Sequence, residues 1–201
     1  MTVRVILVSP AMSAALREAR FGSDGPLDAA GARSARAAAG ALPPAARRLS
    51  GPSARCRDTA EALGLRVEDE PAPGDWDMGV WRGRTLEEVS VSEPEAVSAW
   101  LTDPSAAPHG GESLLALCAR IGGWLASLPG DSGRVLAVTE PAVARAAIVH
   151  ALALPAEAFW RLDIAPLTLT ELSGRAGRWN LRCGRPLTAS PEGLTPSPSG
   201  D

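Results

Sequence analysis

Val3-Arg4-Val5-Ile6-Leu7-Val8 running into Ser9-Pro10-Ala11, and Val135-Leu136-Ala137-Val138-Thr139 running into Glu140-Pro141, are the two stretches that decide the fold of this chain. Each is a short, nearly continuous apolar run rich in β-branched residues, the pattern of a strand covered on both faces in a parallel sheet. Each also ends abruptly at a polar residue and a proline. Pro141 suits the first turn of a helix, which the spacing predicts over 141–152.

Outward from these strands the chain alternates strand and helix. Helical spacing covers 27–42, stopped by Pro43 and Pro44, and 54–63, with Ser53 as N-cap and Gly64 as terminator. Only a short strand, 47–50, fits between them. Thr85 with Glu88 reads as a capping box opening a further helical stretch, 94–101 reads as another helix, and Ser113 caps a long apolar helix to Leu128. The Gly- and Trp-rich segment 75–84 and the Pro- and Gly-rich segment 103–111 read as loops. A hairpin is expected from 167–172 and 178–182 around the turn 173–177. Strand and helix in alternation predict an α/β sheet with helices on both faces. One domain is expected over 1–186, with a Pro-, Ser- and Gly-rich disordered tail over 187–201.

Composition narrows the function classes. With 201 residues, 45% of them hydrophobic, the chain can bury one sizeable core. It has no apolar run of the roughly 18 residues that span a bilayer, and its start lacks a signal-peptide profile, so a cytoplasmic protein away from membranes is expected. The net charge of −3, with signs interspersed, offers no basic stripe for nucleic acid. All basic residues are arginine, which together with abundant Ala, Gly and Pro suggests GC-rich bacterial coding. Cys56, Cys118 and Cys183 are odd in number and far apart, so free thiols are expected rather than disulfides or metal ligands. No metal and no other cofactor is expected.

Ligands of open α/β sheets sit beyond the carboxyl ends of the strands, which points to Ser9 and Glu140. The order of motifs around them resembles the histidine-phosphatase (phosphoglycerate-mutase-like) superfamily. The pieces are a first strand and polar loop, Pro26-Leu27 and a helix near Gly31, and Arg55 with Thr59-Ala60. They continue with the loop from Asp77 to Gly83, the run Gly110-Gly111-Glu112-Ser113 with Arg120 after it, and the strand ending at Thr139. The resemblance implies a three-layer sandwich around a mostly parallel sheet. It also implies an Arg-His-Gly motif after the first strand and a second histidine after a later one, with two arginines and an acid completing a phosphoryl-transfer site. On this chain those positions carry Ser9, Pro10, Ala11 and Glu140, while Arg55 survives and Asp75 matches the acid. Proline has no lone pair with which to attack phosphorus, and carboxylates oppose a bound phosphate.

The resemblance therefore implies a degenerate member, with the old pocket turned acidic and used otherwise. Glu140 and Asp75 are the candidate acid and base, for an isomerase, dehydratase or cyclase type of reaction; helix capping and unrelated surface acids are the competing readings. Arg55, Ser9, His109, Glu112, Trp76 and Trp81 are the candidate substrate contacts, the tryptophans as a flat wall for a ring. Cys56 beside Arg55 is read as core packing rather than as an activated thiol. The alternatives are a pseudophosphatase that binds a ligand or a protein partner, and a residual phosphatase. A small molecule is the expected partner, with a protein or a second copy of the chain as further candidates.

Overall fold

The structure, a computed structural model, describes residues 2–22, 24–130, 132–175 and 177–188. Its core is a sheet of six strands: β1 (Val3–Val8), β2 (Arg47–Ser50), β3 (Glu68–Asp69), β4 (Arg134–Val138), β5 (Thr168–Arg175) and β6 (Arg178–Pro186). They lie in the order β3-β2-β4-β1-β5-β6. The pairs β1–β4, β2–β4 and β2–β3 are parallel, and the hairpin β5–β6 joins antiparallel to β1.

Period-two alternation makes the layers. Val3, Val5 and Leu7 of β1 and Val135 and Ala137 of β4 share one cluster with α6 (Leu114–Ser127) and α7 (Pro141–Ala151). Ile6, Val8, Leu136 and Val138 face the other way, against Ala35 and Ala38 at α2 (Ala29–Ala37) and Cys56, Ala60 and Leu63 at α3 (Ala54–Ala62). The result is the expected α/β three-layer sandwich. The other α-helices among the described residues are α1 (Ala14–Arg17), α4 (Leu86–Ser92) and α5 (Pro94–Thr102), with short 3-10 turns at Gly79–Trp81 and Ala156–Arg161.

Local signals act where expected. Ser53 accepts from the Cys56 amide, Ser113 from the Ala116 amide, and Thr85 and Glu88 form a reciprocal capping box. Other boundaries move. The first long helix is shorter than expected because Asp28, accepting from the Gly31 amide, starts it and Ala38 ends it. Leu187, assigned to the tail, belongs to the domain: it is buried, and its amide donates to the Leu167 carbonyl at 2.8 Å. The rest of the expected tail, from residue 189, lies outside the described residues.

Among the described residues no helix is long and apolar enough to cross a membrane. None of their His, Cys, Asp and Glu groups clusters as a metal site.

Candidate active site

At the carboxyl ends of β1 and β4, Glu140 begins α7 but does not cap it with its side chain. The carboxylate turns to Arg55 on α3, which donates from Nη2 and from Nε (3.3 Å). Ser53 adds a third donor to the same carboxylate, at 2.7 Å. Both charged side chains are nearly sealed, Arg55 at 11% exposure and Glu140 at 5%. Burial lowers the Arg55 pKa below its ordinary value, opposed by the nearby Asp75 charge. Cys56, buried beneath the pair, has its thiol pushed up to about 12, mainly by burial, and so stays protonated, its Sγ donating weakly to Glu140 Oε1 at 3.7 Å.

Ser9 does not reach this pair. Buried at the end of β1, it donates to the Ala165 carbonyl and accepts from the Thr168 amide at 3.0 Å, fastening β1 to the approach of β5. Pro10 is buried, and the Ala11 amide donates to Thr59 Oγ1 at 3.1 Å, while that hydroxyl donates to the Arg55 carbonyl.

Beside the pair opens a cleft of about 220 Å3, lined by Arg55, Glu140, Asp75 and Trp76 together with side chains that sequence reasoning passed over. Asp75 is partly buried, and desolvation raises its pKa against the pull of the Trp76 amide and Arg55. The aromatic wall consists of Phe21, Trp76, Trp100, Phe159 and Trp160, with Trp100 and Trp160 edge to face at 4.6 Å. Arg145 of α7 and Arg20 are the unforeseen cations. The expectation of an acidic pocket is thereby corrected: three arginines face two acids.

Three expected contacts besides Ser9 lie elsewhere. Trp81 is fully buried and donates to Glu93 at 3.0 Å, so it holds its loop to the domain rather than walling the cleft. His109 is neither solvent-facing nor in the cleft. It is fully buried at 5.2 Å from the Trp81 ring, and its Nδ1 accepts from the Gly111 amide. Glu112 pairs with Arg120, whose guanidinium also donates to the carbonyls of Ala72, Gly74 and Asp75. Those two residues brace the segment that carries Asp75. Of the predicted set the structure therefore brings together Arg55, Glu140, Asp75 and Trp76.

A family model, the histidine phosphatase superfamily (branch 1), matches residues 12–184. The chain belongs to this superfamily. Among solved structures it is similar to a mycobacterial glucosyl-3-phosphoglycerate phosphatase in complex with VO3, at 27% identity and a TM-score of 0.76, covering 91% of this chain and 98% of that one. The α-ribazole phosphatase of Shigella flexneri shares the fold at 21% identity and a TM-score of 0.80, covering 94% and 100%. A bifunctional protein of Mycobacterium tuberculosis is 39% identical over 69 residues, 32% of this chain. The chain spans only 19% of the length of the curated relatives it matches.

Proposed function

We propose that this histidine-phosphatase-fold protein does no phosphohistidine chemistry and that its cleft binds a small organic ligand. The observation that supports this is the Arg55–Glu140 pair. The arginine that the resemblance assigns to phosphate is engaged by a carboxylate that also accepts from the Ser53 hydroxyl and the Cys56 thiol. A dianion entering there would meet Glu140 at close range, a repulsion of about 1 to 4 kcal/mol for each of its charges. Pro10, at the position the resemblance gives to the nucleophile, has no lone pair to offer phosphorus.

The test is turnover of p-nitrophenyl phosphate together with acid-quench trapping of a phosphoenzyme. No hydrolysis above a buffer blank and no trapped phosphate are expected. Arg55-dependent hydrolysis would instead return the protein to the activity that the names of its structural neighbours carry.

A second reading is acid/base catalysis on the same ligand, and Asp75 favours it. Asp75 lines the cleft with a pKa raised by desolvation, whereas the Glu140 carboxylate is taken up by its donors. A carboxyl that holds its proton more firmly than usual can give it up and take it back within a reaction. Under this reading Asp75→Asn lowers turnover by about two to four orders of magnitude while ligand affinity persists.

A further inference from the structure

Two hydrogen-bond donors on the cleft's own residues are buried without a partner among the described residues: Trp100 Nε1 and Arg145 Nε. Trp100 is 7% exposed, so its indole N–H is shut away from bulk water. Both atoms are covered by the protein itself, so the part of Arg145 left open to a ligand in the cleft is the outer end of its guanidinium, on a side chain 29% exposed. Arg145 is also poorly served as a charge. Its neighbouring carboxylate, Asp163, lies at 4.0 Å and is wholly in solvent, and its guanidinium sits 5.6 Å from the centre of the Phe159 ring. The other two cations of the cleft are occupied: Arg55 by Glu140, and Arg20 by Glu18 at 2.6 Å and the Gly83 carbonyl at 2.9 Å.

We infer that the cleft takes a small aromatic monocarboxylate, its carboxylate received by the outer end of the Arg145 guanidinium and its ring laid against the wall around Trp160. This rests on the reading of the cleft as a ligand site without phosphohistidine chemistry, and it names the ligand class. Three features argue for it together. The Arg145 guanidinium has only the solvated Asp163 as a carboxylate neighbour among the described residues, and a planar ligand carboxylate can take two of its N–H groups side by side. Arg145 is the one arginine of the lining without a close counter-charge among the described residues, a single charge that a monoanion balances and a dianion exceeds. The aromatic walls and the volume of about 220 Å3 suit one ring better than a sugar phosphate.

The experiment follows the tryptophan indole N–H resonances of the whole chain during titration with benzoate, with benzylamine and inorganic phosphate as comparison probes. Trp100→Phe assigns the resonance, which reports on the cleft that Trp100 lines, while keeping a ring. A saturable shift of the Trp100 signal with benzoate is expected, weakened about tenfold or more by Arg145→Met, in line with the loss of a charge-assisted hydrogen bond. Arg145→Lys, which keeps the charge but loses the forked pair of N–H donors, is expected to bind more weakly than the parent and more tightly than Arg145→Met. Benzylamine should leave the signal unmoved. The inference is overturned if benzoate gives no saturable shift, if Arg145→Met binds it as tightly, or if phosphate binds better than benzoate. The phosphoenzyme assay on the unaltered protein is independent of all these titrations. Its failure would remove the functional reading, whereas a failed titration alone removes only the ligand class.

Discussion

The two flanks of the cleft treat charge in opposite ways. On the flank made by α3 and the start of α7, Arg55, Glu140 and Ser53 satisfy one another inside a nearly sealed space. One turn and more along α7, Arg145 holds its charge with a buried Nε that has no partner among the described residues and a remote, fully solvated Asp163. Both are arginines on the same rim. The difference teaches that retention of an arginine says little about ligand binding until its counter-charge is known. The first flank is finished as a structure, and the second is left open to something else.

The largest effect should come from breaking the finished flank. Glu140→Ala strands the Arg55 guanidinium, and removing one member of a buried pair costs about 3 to 5 kcal/mol. Urea unfolding should show that loss. In the surviving folded protein, vanadate should bind where the parent does not, because Arg55 is then unpaid; a variant as stable as the parent would mean that the two flanks do not differ.

A smaller effect of opposite sign is expected from Asp75→Asn. Desolvation raises the folded carboxyl pKa above the unfolded value of about 3.9, so its contribution to stability is intact below that pH and is lost as pH rises through the folded value. The variant should therefore melt a little higher than the parent at neutral pH, and the gap should close near pH ~4. A gap that widens on acidification would reverse the assigned direction.

The smallest effect belongs to the open flank. Arg145→Met deletes a charge that stabilises little in the free protein, and its unfolding free energy should stay within about 0.5 kcal/mol of the parent. A loss comparable with that of Glu140→Ala would make Arg145 a structural cation.

The scaffold was readable where local rules decide it. The strands β1 and β4 announce themselves as apolar runs, and Ser53, Ser113 and the Thr85–Glu88 box mark helix starts by side-chain chemistry alone. Strand β3 carries no such mark. It is two exposed acids, Glu68 and Asp69, made into a strand only by pairing with Leu49 and Ser50. The four residues of α1 are likewise too short to show a period.

In the site, Arg55, Glu140, Asp75 and Trp76 were legible from position relative to strand ends and motifs. Trp81 and Trp76 looked equivalent because only long-range packing separates a ring in the core from one on the wall. His109 looked like a loop residue because its burial depends on Trp81, distant in sequence. Arg145 did leave a signal: it is the sole charge in the apolar run 142–149, a place where an arginine is costly unless something answers it.

The glycines at 79 and 111 give the wall its character. A Cβ on Gly79 would strike the His109 carbonyl, and one on Gly111 the Asp77 carbonyl, so two backbones cross there in direct contact. The Glu112 amide closes on the Asp77 carbonyl at 2.8 Å, and Trp76 Nε1 on the Glu112 carbonyl at 2.6 Å. A surface welded at that many points has little freedom to surrender when a guest arrives, so association should resemble a key meeting a cut lock, governed by diffusion and shape instead of by waiting for a gate to swing.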